Sequence, residues 1–272
     1  MSHKDNFKPV VSIVTPVWNQ ADLTVQCFAS IRENTKLPYE IIWVDNGSSP
    51  DNFKIVRQQA TRPRMHTKLI RNARNLGFVK ATNQGIQEAE GEYVILLNND
   101  TQVSYKWATN LIKPLMNDPK VGIVGPVTQS TIAWQEAGHL NKRWNLNMPK
   151  YGGDIPKYAE LLKRNFSGKY IDVGKNPLSF FCAAFRRSIF DELGSLDTDF
   201  GIGLGDDDHY CMITRNAGYK LYLSLSTFVL HAHRSTFKAM KLDVDHLQRI
   251  AQKTLKRKKK ELELKNKMDE NA

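Results

Sequence analysis

Gly91-Glu-Tyr-Val-Ile-Leu-Leu-Asn-Asn-Asp-Thr101 is the stretch from which the fold is read. Tyr93 to Leu97 is an unbroken apolar run, and it stops at three polar residues. A run this short reads as a strand buried on both faces. Similar strands are expected on either side, at Val10–Pro16, Glu40–Val44, His66–Ile70 and Val121–Gly125. Between them, apolar spacing predicts helices at Gln20–Asn34, Asp51–Ala60, Phe78–Ala89 and Ser104–Asn117. Strands alternating with helices imply an α/β fold, with a mostly parallel central sheet flanked by helices. Such sheets bind ligands at the carboxyl ends of their strands. The polar clusters sit there: Trp18-Asn-Gln20, Asp45 to Ser49 and Asn98-Asn-Asp100.

Further along, Leu178–Phe185, Tyr219–Leu223 and Phe228–Leu230 read as strands, and Arg187–Leu193 and Asp206–Asn216 as helices. Thr128–Asn176 has weak periodicity and reads as an insertion over the active face. Asp243 to about Lys267 reads as a basic amphipathic helix, with Leu247, Ile250, Ala251, Leu255 and Leu262 as its apolar stripe. The expected domains are therefore 1–237, in halves 10–126 and 127–237, and a tail at 238–272.

The chain has 272 residues and a net charge of +11, enough for one large domain with a proper core. Eleven basic and six acidic residues from Lys238 onward place +5 of that charge in the tail. No apolar run approaches the roughly 20 residues of a membrane span, and the polar first residues have no signal-peptide core. A cytoplasmic protein is expected. Cys27, Cys182 and Cys211 are far apart and read as buried thiols in a reducing compartment.

Several residues have chemistry to offer. Asp45, ending a strand, can accept a hydrogen bond from a ring N–H or a sugar hydroxyl, or can simply close its own turn. Asp100 can bind Mg²⁺ or Mn²⁺, with diphosphate oxygens and water filling the other positions. Asn98 and Asn99 add hydrogen bonds but no charge; an Asn/Asp turn is the plainer alternative. Asp206-Asp207-Asp208 places three carboxylates together, whose repulsion raises at least one pKa unless a cation or a helix N-terminus compensates; a solvated helix start is the plainer alternative. A glycine-alternating turn, Phe200-Gly-Ile-Gly-Leu-Gly205, precedes them and suits close backbone approach to a ligand. A carboxylate beyond it can serve as a general base. His231 and His233 follow a strand, and either can complete a metal site with Asp100 or pack structurally.

In order and spacing these segments resemble an inverting family 2 glycosyltransferase of the GT-A fold, closest to its rhamnosyltransferase-like branch. The matching residues are Val11-Ser-Ile-Val-Thr-Pro-Val-Trp-Asn19, Glu40-Ile-Ile-Trp-Val-Asp-Asn-Gly-Ser-Ser49, Asn75-Leu-Gly-Phe78, Ala81-Thr-Asn83 and Gly91 to Thr101. Arg187 to Gly194, Gly205-Asp-Asp207 and His231 continue the series, so the likeness covers roughly residues 10 to 235. The resemblance implies that Asp45 binds a pyrimidine ring, with Thr15, Pro16 and Asn19 lining its pocket. It implies Asn75, Gly77 and Asn83 along the ribose-diphosphate side, and Asn98-Asn99-Asp100 in place of the family's Asp-x-Asp motif. Asp100 would be the metal ligand and His231 the downstream metal or diphosphate contact. Asp207 would be the base, with Asp206 the other candidate. Asp206 stands where the family has Glu, and His209 where it has Asp.

The expected donor is thus a UDP- or dTDP-sugar with a divalent cation, Mn²⁺ or Mg²⁺. The expected acceptor is a glycan, a glycolipid or a protein-linked sugar. Two rival readings are an inactive sugar- or nucleotide-binding module and a nucleotidyltransferase, though Thr15–Leu23 lacks the basic Gly-rich loop the latter needs. The total charge suggests nucleic acid, but no aromatics interleave with the Lys256–Lys260 run, so no nucleic-acid partner is expected. The tail has three readings: a helix packed on the domain, a self-association helix, or a peripheral contact with anionic lipid at the inner membrane face.

Overall fold

The computed structural model describes residues 7–129, 135–232 and 243–270. The first part alternates as expected: β1 (Val11–Val17), α1 (Ala21–Asn34), β2 (Tyr39–Asp45), α2 (Pro50–Ala60), β3 (Thr67–Arg71), α3 (Phe78–Gln87) and β4 (Tyr93–Leu97). Then come β5 (Thr101–Val103), α4 (Trp107–Asn117), β6 (Val121–Val127), α5 (Ala137–Trp144), α6 (Ile155–Phe166) and β7 (Tyr170–Asp172). The remainder is β8 (Cys182–Arg186), α7 (Ser188–Leu193), a 3₁₀ turn at Thr198–Phe200, α8 (Asp206–Asn216), β9 (Lys220–His231) and α9 (Val244–Glu270).

The sheet runs β3-β2-β1-β4-β8-β6-β9-β5, with β7 also on β9. Its first four strands are parallel. Beyond them β8 opposes both neighbours, and β5 and β7 oppose β9, while β6 and β9 are parallel. The expected mostly parallel sheet flanked by helices is thus present, with its antiparallel pairings gathered in the half beyond β4.

Strand alternation sends side chains to two cores. Ile13, Val17, Ile41 and Trp43 pack on the side of α1, α2 and α4, with Phe28 and Trp107. Val14, Ile42, Val44 and Leu96 pack on the other side, with residues of α3, α6, α7 and α8. Helix α3 lies so close to β1 that a Cβ on Gly85 would stand 2.4 Å from Cγ1 of Val14. All three cysteines are buried and unpaired, and burial pushes the Cys27 thiol up to about 12.

Four differences from the sequence reading bear on the site. Strand β5 was not expected. The two strands predicted at 219–230 are one strand, β9, long enough to pair with β6 near its start and with β5 at its end. The Thr128–Asn176 stretch holds two helices and a strand among its described residues. Leu178 precedes its strand: its N–H goes to Sγ of Cys211 and that of Ser179 to Oε1 of Gln135, so neither joins the sheet. Among the described residues no helix is long and apolar enough to cross a membrane.

Candidate active site

Strand order brings the expected residues to one edge. Because β2, β1 and β4 are parallel neighbours, Asp45, the β1 exit and Asn98–Asp100 lie side by side at the carboxyl ends of their strands. The antiparallel β8 enters at this same edge, where the Asn98 N–H donates to the Phe181 carbonyl at 2.8 Å.

His231 reaches Asp100 through the β5–β9 ladder. Thr101 pairs with His231, and the Ala232 N–H donates to the Asp100 carbonyl at 2.9 Å. As a result Nε2 of His231 lies 3.2 Å from Oδ1 of Asp100, with both side chains nearly buried. The imidazole stacks on Phe181, ring centroids 4.8 Å apart and 11° from parallel. Gln129 fixes the main chain behind it, donating Nε2 to the His231 carbonyl at 2.8 Å. The pair offers one oxygen and one nitrogen to a divalent cation. Oδ1 of Asn98, two residues upstream, is buried without a hydrogen-bond partner. Asn99 instead donates Nδ2 to Oγ1 of Thr24 at 2.9 Å. Among the described residues no three acidic, imidazole or thiol groups are arranged to hold a metal ion by themselves. The donor set therefore fits a Mn²⁺ or Mg²⁺ ion that completes its shell with diphosphate and water oxygens. His233 lies outside the described residues.

Asp45 is fully buried at the end of β2. Nε of Arg71, its neighbour in register on β3, stands 3.2 Å from Oδ2, but neither carboxylate oxygen accepts a hydrogen bond. The Arg71 guanidinium is itself held over the Phe53 ring at 3.7 Å. A buried carboxylate in this state is oriented yet retains acceptor capacity for a ligand N–H. Thr15 is enclosed within β1, its hydroxyl unpartnered, and Pro16 is half-buried. Asn19 and Gln20 both adopt left-handed backbone, with φ of 53° and 54°. The Asn19 N–H donates to Oγ of Ser48 at 2.8 Å and its Oδ1 accepts from the Ser49 N–H at 2.9 Å. A cavity of about 450 Å³ opens there, lined by Trp18, Asn19, Gln20, Asp22, Ser49 and Asn52.

The Asn75–Asn83 segment is held by amides. Oδ1 of Asn75 accepts from Nδ2 of Asn46 at 2.8 Å and from the Gly77 N–H at 2.9 Å. Oδ1 of Asn46 in turn accepts from the Leu76 N–H and from Nδ2 of Asn72. Gly77 has φ of 88°, and a Cβ there would stand 2.7 Å from the Gly201 carbonyl oxygen. The donor-side loop and the Phe200–Gly205 turn are thus in contact. Asn83 binds the backbone of Leu196 with both ends of its amide, at 2.8 and 3.0 Å. In this structure Asn75 and Asn83 are braces of the loop, where a ribose-diphosphate contact was expected.

The carboxylates begin α8, after Gly205 in left-handed backbone. The Asp207 carboxylate accepts a hydrogen bond from the Asp208 N–H at 2.9 Å, and the Phe180 backbone beside it favours the charged form. Burial, and then repulsion from Asp206 and Asp208, raises Asp207 well above the ordinary carboxylate range. Burial likewise raises Asp206 to about 6, with Asp208 adding repulsion. His209 faces away from this cluster toward Phe200, its ring tilted 33° and 5.3 Å distant, and burial lowers its pKa.

Sequence reasoning overlooked Arg71, Asn46, Gln129 and Phe181. Asn46 lay inside a quoted motif, but Arg71 and Gln129 act through cross-strand register and a distant backbone, which no local spacing reports.

The model of glycosyl transferase family 2 matches residues 12–194. A curated undecaprenyl-phosphate 4-deoxy-4-formamido-L-arabinose transferase of Pectobacterium carotovorum is 36% identical over 96 residues, which cover 34% of this chain and 29% of that one. Among solved structures, the Pyrobaculum calidifontis mannosyltransferase PcManGT, in complex with GDP-Man and Mn²⁺, superposes with a TM-score of 0.60 at 22% identity. That match covers 84% of this chain and 58% of the mannosyltransferase. S. aureus TarS in complex with UDP-GlcNAc gives 0.57 at 13% identity, over 82% of this chain and 59% of that one. The chain thus spans under two thirds of the length of each of these relatives.

Proposed function

Since the chain belongs to glycosyl transferase family 2, we propose that it is a metal-dependent, inverting glycosyltransferase. Its donor would be a UDP- or dTDP-sugar, and its acceptor a hydroxyl of a glycan, a glycolipid or a protein-linked sugar. One observation carries this reading: Phe180 and Phe181 join both halves of the chemistry. The Phe180 backbone stands beside the Asp207 carboxylate and offsets part of the rise in its pKa, and the Phe181 ring and carbonyl hold His231 and Asn98. A base and a diphosphate-binding pair therefore share one edge of the sheet.

In this reading Asp45 accepts the pyrimidine ring N–H, and Arg71 keeps its carboxylate aimed. A divalent cation on Asp100 and His231 would supply positive charge beside the departing nucleoside diphosphate. Asp207 removes the proton from the acceptor hydroxyl, whose oxygen attacks the anomeric carbon from the face opposite the leaving group. Configuration is inverted. A pKa raised by burial suits this task, because a base working near neutral pH is best matched there. The PcManGT complex with GDP-Man and the TarS complex with UDP-GlcNAc support a nucleotide-sugar donor; the choice of a pyrimidine base rests on Asp45.

Lys253, Lys256, Lys259 and Lys260 of α9 are exposed, which supports a peripheral contact with anionic lipid. Flotation on anionic vesicles with and without residues 243–272 tests it; equal flotation sinks that contact. The donor is tested by melting and hydrolysis across UDP-, dTDP- and GDP-sugars with Mn²⁺ or Mg²⁺. Metal-dependent hydrolysis of one pyrimidine nucleotide sugar is expected. Tight nucleotide binding with no hydrolysis and no transfer would favour the inactive module.

A further inference from the structure

Helix α9 lies beside α8. A Cβ on Gly205 would stand 3.5 Å from Cβ of Ala251, and at the other end the amides of Asn216 and Asn266 pair. The helices therefore run in the same direction, and α9 begins its contact at the residue just before the carboxylates. Leu247, Ala251, Leu255 and Leu262 are half-buried, as their stripe predicts, but Ile250 is exposed. The position facing inward between Leu255 and Leu262 is Lys258, part of the five-cation run.

Lys258 does not point to solvent. Its Nζ lies 2.6 Å from Oδ2 of Asp197 and 2.8 Å from Oδ2 of Asp199, and its side chain is only 18% exposed. Nη2 of Arg257 reaches the same Asp199 oxygen at 2.7 Å. The two aspartates bracket the start of the 3₁₀ turn, and Asp197 caps it by accepting from the Asp199 N–H at 2.9 Å. On its far side this turn meets the donor loop. The Val79 N–H donates to the Gly201 carbonyl at 3.3 Å, and a Cβ on Gly203 would stand 2.8 Å from Phe78.

We propose that Lys258, with Arg257, is a positioning residue: α9 clamps the Asp197–Asp199 turn against the donor loop and so holds Asp206 and Asp207 at a fixed distance from the donor. This rests on the reading of those carboxylates as the base. It differs from a membrane role for α9, because Lys258 faces inward and Arg257, though exposed, is engaged by Asp199. A neutral side chain at 258 leaves the nucleotide pocket untouched but frees the turn that leads into α8. Misplacing a reacting group by about 1 Å can cost roughly a hundredfold in rate.

The test uses the full chain carrying Lys258→Met, with Lys258→Arg as the conservative variant. Hydrogen exchange of backbone amides is followed in 197–208 and, as an internal control, in 11–45. For Lys258→Met, exchange should quicken in 197–208 and stay unchanged in 11–45. With the donor found by screening, kcat should fall about tenfold or more with KM within about twofold. Lys258→Arg should restore most of both. Unchanged exchange in 197–208 overturns the clamp, as does unchanged kcat, or a fall in kcat that Lys258→Arg does not relieve. The exchange arm needs no activity, so a wild-type chain that turned over no donor would tell against the transferase reading while the clamp is still decided.

Discussion

Nε2 of His231 and Oδ1 of Asp100 meet at 3.2 Å because a three-residue strand, β5, follows Asp100 and pairs with the last residues of β9. The register of that short ladder sets the geometry of the two groups. If they hold a divalent cation against a nucleoside diphosphate, either substitution should remove the cation-dependent part of nucleotide binding. Asp100→Ala and His231→Ala should each abolish the extra melting shift that Mn²⁺ gives on top of UDP. They should leave the shift from UDP alone. A full Mn²⁺-dependent shift in both variants would place the cation elsewhere.

Asp207→Asn keeps the size and most hydrogen bonding of the side chain but cannot accept a proton. Turnover should fall by about a hundredfold or more, with UDP affinity nearly unchanged. The same substitution at Asp206 separates the two candidate bases. Asp207 is the one beside the Phe180 backbone, next to the Phe181 ring that stacks on His231, which favours the larger loss there. A larger loss at Asp206 would exchange the roles.

Burial raises both carboxylates above their unfolded values, and this has a sign. Between about 3.8 and about 6 the folded chain holds a proton on Asp206 that the unfolded chain has released. Stability from this group is therefore present at low pH and lost as pH rises through about 6. Asp206→Asn, which cannot ionise, should melt a few degrees above the wild type at pH 8 and nearer to it at pH 5. The transfer rate should move the opposite way, climbing with pH as the Asp207 carboxylate, which burial holds well above the ordinary range, ionises. A melting difference equal at both pH values would show that the cluster carries no linked proton.

Much of this architecture is readable along the chain, because β1, β2 and β4 are apolar runs ending in polar clusters, and their carboxyl edge is where an α/β sheet binds ligands. Asp45 and Asp100 become candidates through their place at strand ends, and the choice of Asp207 among three carboxylates comes from the family resemblance. Strand β5 does not: Thr101-Gln-Val103 has no apolar run, and its pairing is with residues far along the chain. Helix α6 was hidden although Tyr158, Leu162 and Phe166 are spaced by four and buried, since the surrounding aromatics and glycines blurred the period. Lys258 shows the limit of reading charge. Within Lys256–Lys260 residue type does not distinguish the cation that faces Asp197; its place three after Leu255 and four before Leu262 sets it on the inward stripe.

Asn83 separates a brace from a ligand contact. Family likeness places it beside the ribose and diphosphate, but its amide binds the Leu196 backbone at both ends. Removing that amide leaves a part-buried N–H and C=O of Leu196 without their partner, which costs about 1–3 kcal/mol. Asn83→Ala should therefore lower the unfolding free energy by that much, read as a lower denaturant midpoint with the slope unchanged. Affinity for UDP in the presence of Mn²⁺ should stay within about twofold, since about 1.4 kcal/mol of lost contact would already show as tenfold. Titration calorimetry on the folded variant measures this directly. A tenfold loss of affinity with an unchanged midpoint would return Asn83 to the ribose-diphosphate side. The expected pattern, stability lost and affinity kept, makes it the tie that draws α3 to the segment leading into the 3₁₀ turn.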